Sequence, residues 1–477
     1  MADFSDNMQK PMIDKVPVQK SAGKNYLLAL TLSSGGFFFG YYIGILNPIG
    51  DLMLKQVYNK TEKSEMDSLN GLMNNLFSLG ALAGVILAGF IADKFGRRAG
   101  LYFGDIMALL SVALYYLQTI PTLLSARFAS GCTSGLYVSM AAIVISELVP
   151  NNVAGFSNAA GYSVLTLAIL LSYLVPFFFD ESTLVNHCRL FLIFPVFIPI
   201  YKLIMTPMLL TTETPKFIYS NEPDANRAKE KITEAYANIY AAESLDAVVE
   251  ESINSLEKQS SEGKPDLMAM FSPRYRARLI SGCFVSFAQQ VSGINFLIFY
   301  STQLFEASGK DTARNMTAVI GASNFFGSFI ALFAISRFGR KFNIVWGSLF
   351  QGIGFLLLFI GFKGDIFIVE AIAVVIYVVF FAVGLGGTQM AYISEILPPA
   401  GVSLAGVVQW VLTAAVAQSL LPLMTAFGPV TMILFFTSAC FVFFFSLDFL
   451  LIETKDKSPD KIARDFENKK YKFLDFE

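Results

Sequence analysis

Four side chains capable of polar chemistry stand in a stretch where little else is polar. Phe287–Thr302 reads FAQQVSGINFLIFYST and places Gln289, Gln290, Ser292 and Asn295 inside a long apolar run. A buried amide without a partner costs roughly 2–7 kcal/mol, so these groups must meet something. On a regular helix Gln289, Ser292 and Asn295 fall within an arc of about 120°. Gln290 lies outside that arc, unless Gly293 breaks the helix and lets both glutamines turn inward. Neutral groups that both donate and accept suit a neutral ligand with many hydroxyls. They equally suit hydrogen bonds that hold membrane helices together. A charged ligand would call for charged partners at the same depth, and few are visible.

The elements that must position these residues are membrane helices. The chain of 477 residues is 54% hydrophobic and 15% charged, with a mean hydropathy of +0.56. Its apolar stretches run to about 20 residues, the length that crosses a bilayer as a helix. They do not alternate apolar with polar residues, which argues against a membrane β-barrel. Twelve spans are expected, near 26–48, 69–92, 99–118, 122–149, 153–178, 189–211, 277–304, 313–336, 342–362, 367–396, 401–424 and 428–451. The polar residues 1–25 form an N-terminal tail without the apolar core of a signal peptide. Residues 26–212 and 277–452 form two six-span halves. The segment 213–276 between them is rich in charge and helix formers and reads as short amphipathic helices. Residues 453–477 are a C-terminal tail.

Lysines and arginines gather on one side: Lys94, Arg97, Arg98, the 213–276 segment, Arg337, Arg340, Lys341 and the tail from Lys455. Basic residues mark the cytoplasmic face, which places both termini and the long connection inside the cell. Asn59, in the sequence NKT, then lies outside as a glycosylation acceptor. The lone His187 and the cysteines Cys132, Cys188, Cys283 and Cys440 have no metal-ligand spacing, and the thiols read as buried and inert. No nucleophile–base pair or P-loop appears, so the chain does not read as an enzyme. No cofactor is expected, and a net charge of −2 gives no reason to expect nucleic acid as a partner.

The two halves repeat each other. KFGR at 94–97 recurs as RFGR at 337–340, SELVP at 146–150 as SEILP at 394–398, and ETPK from 213 as ETK from 453. Parallel six-span repeats are a transporter architecture, with the substrate near the midplane between them.

These motifs carry a resemblance. With FGYYIGILNP (39–48), DKFGRR (93–98), ARFASG (126–131), TETPKF (212–217), QQVSGINFLIFYST (289–302) and QW (409–410), they follow in order along nearly the whole chain. Together they resemble the sugar porter family of the major facilitator superfamily, and its facilitative hexose transporters in particular. The resemblance implies an all-α membrane fold of twelve helices and transport of a hexose-type sugar by alternating access, with a monomer sufficient. It implies the plasma membrane as location, with the lipid bilayer and a small sugar as partners and the oligomeric state left open.

The same resemblance implies sugar contacts from Gln289, Gln290, Asn295, Asn324, Gln409 and Trp410. Three positions depart from the family: Tyr162 stands for a glutamine, Met390 for a tryptophan and Ala382 for an acid. Gln389 and Thr388 are candidates to replace the lost contacts, so glucose, fructose, another hexose or a polyol all remain open. Asp93, Arg97, Arg98, Glu147, Glu213, Arg337, Arg340, Glu395 and Glu453 are expected to lock the halves together across the cytoplasmic face. That lock is expected to be weak, because Ser336 and Ala154 replace a family acid and arginine. Proton-linked relatives carry an aspartate where this chain has Tyr42, whose hydroxyl is expected to meet Arg127. Asp105, about two turns into its span, is read as a structural bridge kept charged by Arg98. Uniport is the expected mode. A proton-coupled symporter and a membrane sugar sensor are the rivals.

Overall fold

A computed structural model describes residues 18–469, apart from 118, 180, 262–266 and 307–308. The outer parts of both expected tails, 1–17 and 470–477, lie outside the described residues, as does the side chain of Ala154. Twelve helices are long and apolar enough to cross a membrane. They are Ala22–Gly44, Lys63–Phe95, Arg97–Tyr116, Ile120–Leu148, Ala160–Phe178 and Cys188–Leu209 in the first half. The second half has Pro273–Phe305, Lys310–Phe338, Arg340–Gly364, Phe367–Ile396, Ala400–Phe427 and Pro429–Leu450. We refer to them as spans 1 to 12. The helix holding span 5 begins earlier, at Asn151. Among the described residues the only β-pairing is an isolated bridge between Gln19 and Tyr240.

The connection after span 6 folds as Pro215–Asn221, Ala225–Ala237 and Ala242–Ser261. Asp224 caps the second of these helices by accepting from the amides of Asn226 and Arg227. Their apolar sides, with Ile218, Ile232, Tyr236 and Val249, pack on the ends of spans 1, 2, 4 and 6. The Gln19–Tyr240 bridge ties the N-terminal segment to the same face. The C-terminal helix Pro459–Asn468 buries Ile462 and Phe466 against the start of span 7 and the end of span 10. Both ends of the described chain and the long connection therefore share one face, here the terminal face. The opposite one is the distal face.

Spans 2 and 4 cross closely through small residues. A Cβ at Gly80 or Gly84 would sit 2.1 or 2.0 Å from a span 4 carbonyl oxygen, so nothing larger than glycine fits. Large apolar side chains such as Phe445, Phe333, Phe326 and Ile204 point outward and are more than half exposed. In a bilayer this surface faces lipid rather than water.

Candidate functional site

Span 7 answers the question its sequence raises. Its first helix stops at Val291 and a second starts at Ile294. Between them Gly293 takes φ +100, a backbone region that side chains rarely enter. The break lets the amides reach one another. Asn295 donates to Gln290 Oε1 at 2.6 Å, and Gln290 donates to Gln289 Oε1 at 2.9 Å. Gln290 and Asn295 are buried, and Gln289 is half-buried. Ser292 takes no part, because its hydroxyl bonds the Gln289 carbonyl at 2.8 Å.

Span 10 builds the facing wall. Ala382–Gly386 forms a single π-helical turn, a distortion common at functional sites. Thr388 closes it by donating to the Val383 carbonyl at 2.6 Å. The next residue, Gln389, then bridges Ser286 of span 7 and Gln409 of span 11, both at 3.1 Å. A Cβ at Gly386 would lie 2.8 Å from the Tyr162 hydroxyl, so span 5 of the other half reaches this turn. Beside it, Ser163 and Ser328 join spans 5 and 8 at 3.2 Å, one helical turn from Asn324. Trp410 meets Phe39 of span 1 with ring centroids 6.0 Å apart. The structure thus joins Gln289, Gln290 and Asn295 in one chain, and Gln389, Gln409 and Tyr162 around one turn.

The Tyr162 hydroxyl, Asn324 Oδ1 and Gln389 Oε1 are buried and have no hydrogen-bond partner. Native structures rarely leave such groups unpaired unless a ligand or water completes them. One residue does not fit the expectation. Met390 is 54% exposed and belongs to no described contact of this set. Ala382, where the resemblance implies that relatives carry an acid, is buried, and a Cβ added at Gly327 would lie 3.0 Å from its own Cβ.

The charged motifs at the terminal face behave differently from the expected lock. Arg97 donates to Glu147 at 2.8 and 2.6 Å, inside the first half. Arg340 donates to Glu395 at 3.0 and 2.7 Å, inside the second. Glu213 accepts from the backbone amides of Arg97 and Arg98, and Glu453 from that of Arg340. Each acid caps a helix that starts after a glycine, Gly96 or Gly339, with φ +97 or +99. Asp93 is mostly exposed, 3.9 Å from Arg97. Arg98 reaches the Thr211 carbonyl, and Arg337 is exposed. These charges fasten each half to itself. Among the described residues none of these charges pairs across the seam in this arrangement, in which the halves meet at the opposite face.

The halves join instead toward the distal face. Asn47 of the first half donates to the Ile298 carbonyl at 2.8 Å and Ser301 at 2.7 Å, and accepts from the Thr302 amide at 3.0 Å. Tyr173 donates to the same Ile298 carbonyl at 2.6 Å. Asn75 pairs with Gln418 at 2.9 Å. Sequence reasoning did not single out Asn47, although it sits in the quoted FGYYIGILNP.

Two further readings are corrected. The Tyr42 hydroxyl donates to the Leu192 carbonyl, and Arg127 bonds the Tyr42 carbonyl at 2.6 Å instead. Arg127 is fully buried and also donates to the Met73 carbonyl and Asn74, over the Phe77 ring. Asp105 is held by Tyr137 at 2.7 Å, with Lys202 of span 6 at 3.9 Å, and not by Arg98. Lys202 went unmarked in the sequence, although it is a cation deep inside an apolar span. Cys132, Cys188 and Cys440 are buried and Cys283 is half-buried. Asn59 is exposed at the distal face with φ +54.

Two packed six-span halves around a midplane set of neutral polar groups define a membrane transporter of the major facilitator type. The profile described as "Sugar (and other) transporter" matches residues 28–466, and the chain belongs to that family. It is 26% identical over 469 residues to facilitated glucose transporter protein 1 of Caenorhabditis elegans, covering 93% of this chain and 90% of the relative. It is also 26% identical to probable polyol transporter 6 of Arabidopsis thaliana, covering 96% and 97%. Among solved structures, the proton:xylose symporter XylE bound to 6-bromo-6-deoxy-D-glucose matches with a TM-score of 0.77 and 21% identity, covering 93% and 99%.

Proposed function

We propose that the chain is a uniporter for a hexose-type sugar, working by alternating access between its two halves. The observation that carries this reading is the neutral, ligand-hungry site: unpartnered Tyr162, Asn324 and Gln389 atoms beside the Gln289–Gln290–Asn295 chain. Such a site suits hydroxyl groups and offers no charge to a charged solute. The relatives named for glucose and polyols support the same class. Uniport is supported by Tyr42 and Arg127, whose polar atoms bond backbone carbonyls and an amide and present no carboxylate to titrate. The basic terminal face is taken as cytoplasmic. Asn59 is then an outside glycosylation site, and the plasma membrane the setting.

Counterflow of labelled glucose, fructose and a polyol in proteoliposomes tests the class. Exchange of none of them would refute it. An imposed pH gradient at matched internal pH tests the mode. Sugar should equilibrate and not accumulate; accumulation abolished by a protonophore would replace uniport by proton symport. Gln290→Ala removes two bonds of the amide chain. Each neutral bond contributes about 0.5–1.5 kcal/mol, so sugar affinity should fall by roughly tenfold with expression unchanged. Unaltered affinity in a normally folded variant would remove Gln290 from the site.

A further inference from the structure

The distal seam closes over a carboxylate. Asp51 lies one helical turn beyond Asn47, on the helix Leu46–Gln56 that continues span 1. One oxygen accepts from Asn70 of span 2, and the other from Gln303 of span 7 at 3.3 Å, across the two halves. A second carboxylate, Asp67, accepts from Thr425 of span 11 at 3.4 Å, also across the halves. Among the described residues, the charged groups acting on Asp51 are Asp67 and Glu306, which follows span 7 directly. Both are negative. Lys63 acts on Asp67, and Lys60 is tied to Glu65 at 2.5 Å. Closing this seam therefore desolvates an acid beside two like charges.

Gln303 carries a second sign. Its Oε1 is buried without a partner while its amide nitrogen serves Asp51. Turning that amide over would let Oε1 accept from an Asp51 that carries a proton, with the amide nitrogen then in the place Oε1 holds now. The seam is thus built to hold either form of the acid, and burial favours the neutral one.

We propose that Asp51 is a proton-binding site of the distal gate: it takes a proton from the distal solution when the halves close over it, and returns it there when they part. This rests on the alternating-access reading. Because the proton enters and leaves on one side, it biases the gate and drives no accumulation. Burial first, then the Asp67 and Glu306 charges, hold the Asp51 carboxyl above the usual range in the closed seam, against the lowering effect of Gln303 and Asn70. The open seam returns Asp51 to water and to its ordinary range. The closed state therefore binds more protons. Acid stabilises it, and that stabilisation is lost as pH rises through the raised value.

The test places spin labels at Glu62 and Phe427, both exposed at distal ends in opposite halves. The four native cysteines are replaced by alanine, and counterflow must survive in that background. Electron–electron distances in nanodiscs then report the closed and open populations, with and without glucose and fructose. Lowering pH from about 7.5 to about 4.5, toward the ordinary carboxylate range, should raise the closed-to-open ratio by roughly threefold to tenfold, since each unit of pKa difference between states allows tenfold. Asp51→Asn should hold a high closed fraction at both pH values. Glu306→Gln, at an exposed position, removes one repelling charge and should move the midpoint to lower pH with the response retained. The proposal falls if Asp51→Asn keeps the full pH response, or if Glu306→Gln leaves the midpoint unmoved. It falls alone if sugar shifts the populations and pH does not. If neither sugar nor pH shifts them, the alternating-access reading falls with it.

Discussion

Lys202→Met is expected to destabilise the protein by about 3–5 kcal/mol, the usual loss when one partner of a buried ion pair is removed. Lys202 and Asp105 are both fully buried, 3.9 Å apart between spans 6 and 3. The lysine nitrogen lies 3.5 Å from the centre of the Tyr137 ring, and Tyr137 donates to Asp105 at 2.7 Å. Asp105 Oδ2 and the lysine nitrogen have no hydrogen-bond partner. Without the lysine, the carboxylate would stay in a low-dielectric core with one hydroxyl for company. Lys202→Met together with Asp105→Asn should recover most of the loss, because a neutral amide of nearly the same size still accepts from Tyr137 and no charge is left unpaired. Thermal unfolding of the purified protein separates the cases. Equal melting of the single and double variants would mean that packing, not charge, holds this region. Asp105→Asn keeps an acceptor for Tyr137 and serves the transport arm: sugar should still equilibrate without proton-driven accumulation.

Most of the architecture could be read from the sequence, because a membrane helix declares itself by length and apolarity alone. Span 2 shows how far this goes. It was expected from residue 69, and its helix starts at Lys63, because a polar first turn can extend beyond the apolar run. The repeated turns were legible too, since a glycine before an arginine at both Gly96 and Gly339 marks one tight geometry used twice. What remained hidden depends on how spans pack. Nothing in RFGR or SEILP says whether Arg340 meets Glu395 of its own half or an acid of the other. Asp105 has Arg98 as its nearest basic residue along the chain, and its real neighbour, Lys202, lies 97 positions away. Met390 was expected at the site from the resemblance alone, and it follows Gln389 directly. Adjacent residues on the helix that starts at Gln389 point about 100° apart, so Gln389 turns in and Met390 out. Asn47 and Asp51 were passed over for a similar reason. A single polar residue at a span's end looks like solvent-facing chemistry until the other half closes on it.

Gly293→Ala should cost about 2–5 kcal/mol and remove measurable transport, and a second glycine shows how to separate the causes. The first cause is backbone strain. Alanine at φ +100 costs about 1–2 kcal/mol. The second is space, since a Cβ there would meet the Phe355 ring at 2.7 Å and the Phe436 ring at 2.9 Å. Overpacking of this kind adds about 1–3 kcal/mol. Gly309 has φ +105 and nothing within 4 Å of its Cβ position. Gly309→Ala should therefore show strain without collision and keep transport. The functional loss at Gly293 follows from geometry. The break sets the register between the helix carrying Gln289 and Gln290 and the helix carrying Asn295. Moving it off the aromatic rings would pull Asn295 from Gln290, now at 2.6 Å, and part the seam contacts that Ile298 and Ser301 make with Asn47. Phe355→Leu introduced beside Gly293→Ala should relieve the collision and restore part of the stability, leaving the strain in place. If the two alanine variants melt and transport alike, the rings around Gly293 yield, and strain alone accounts for the glycine. If Phe355→Leu restores nothing, the collision is not with Phe355, and Phe436 is the ring to trim next.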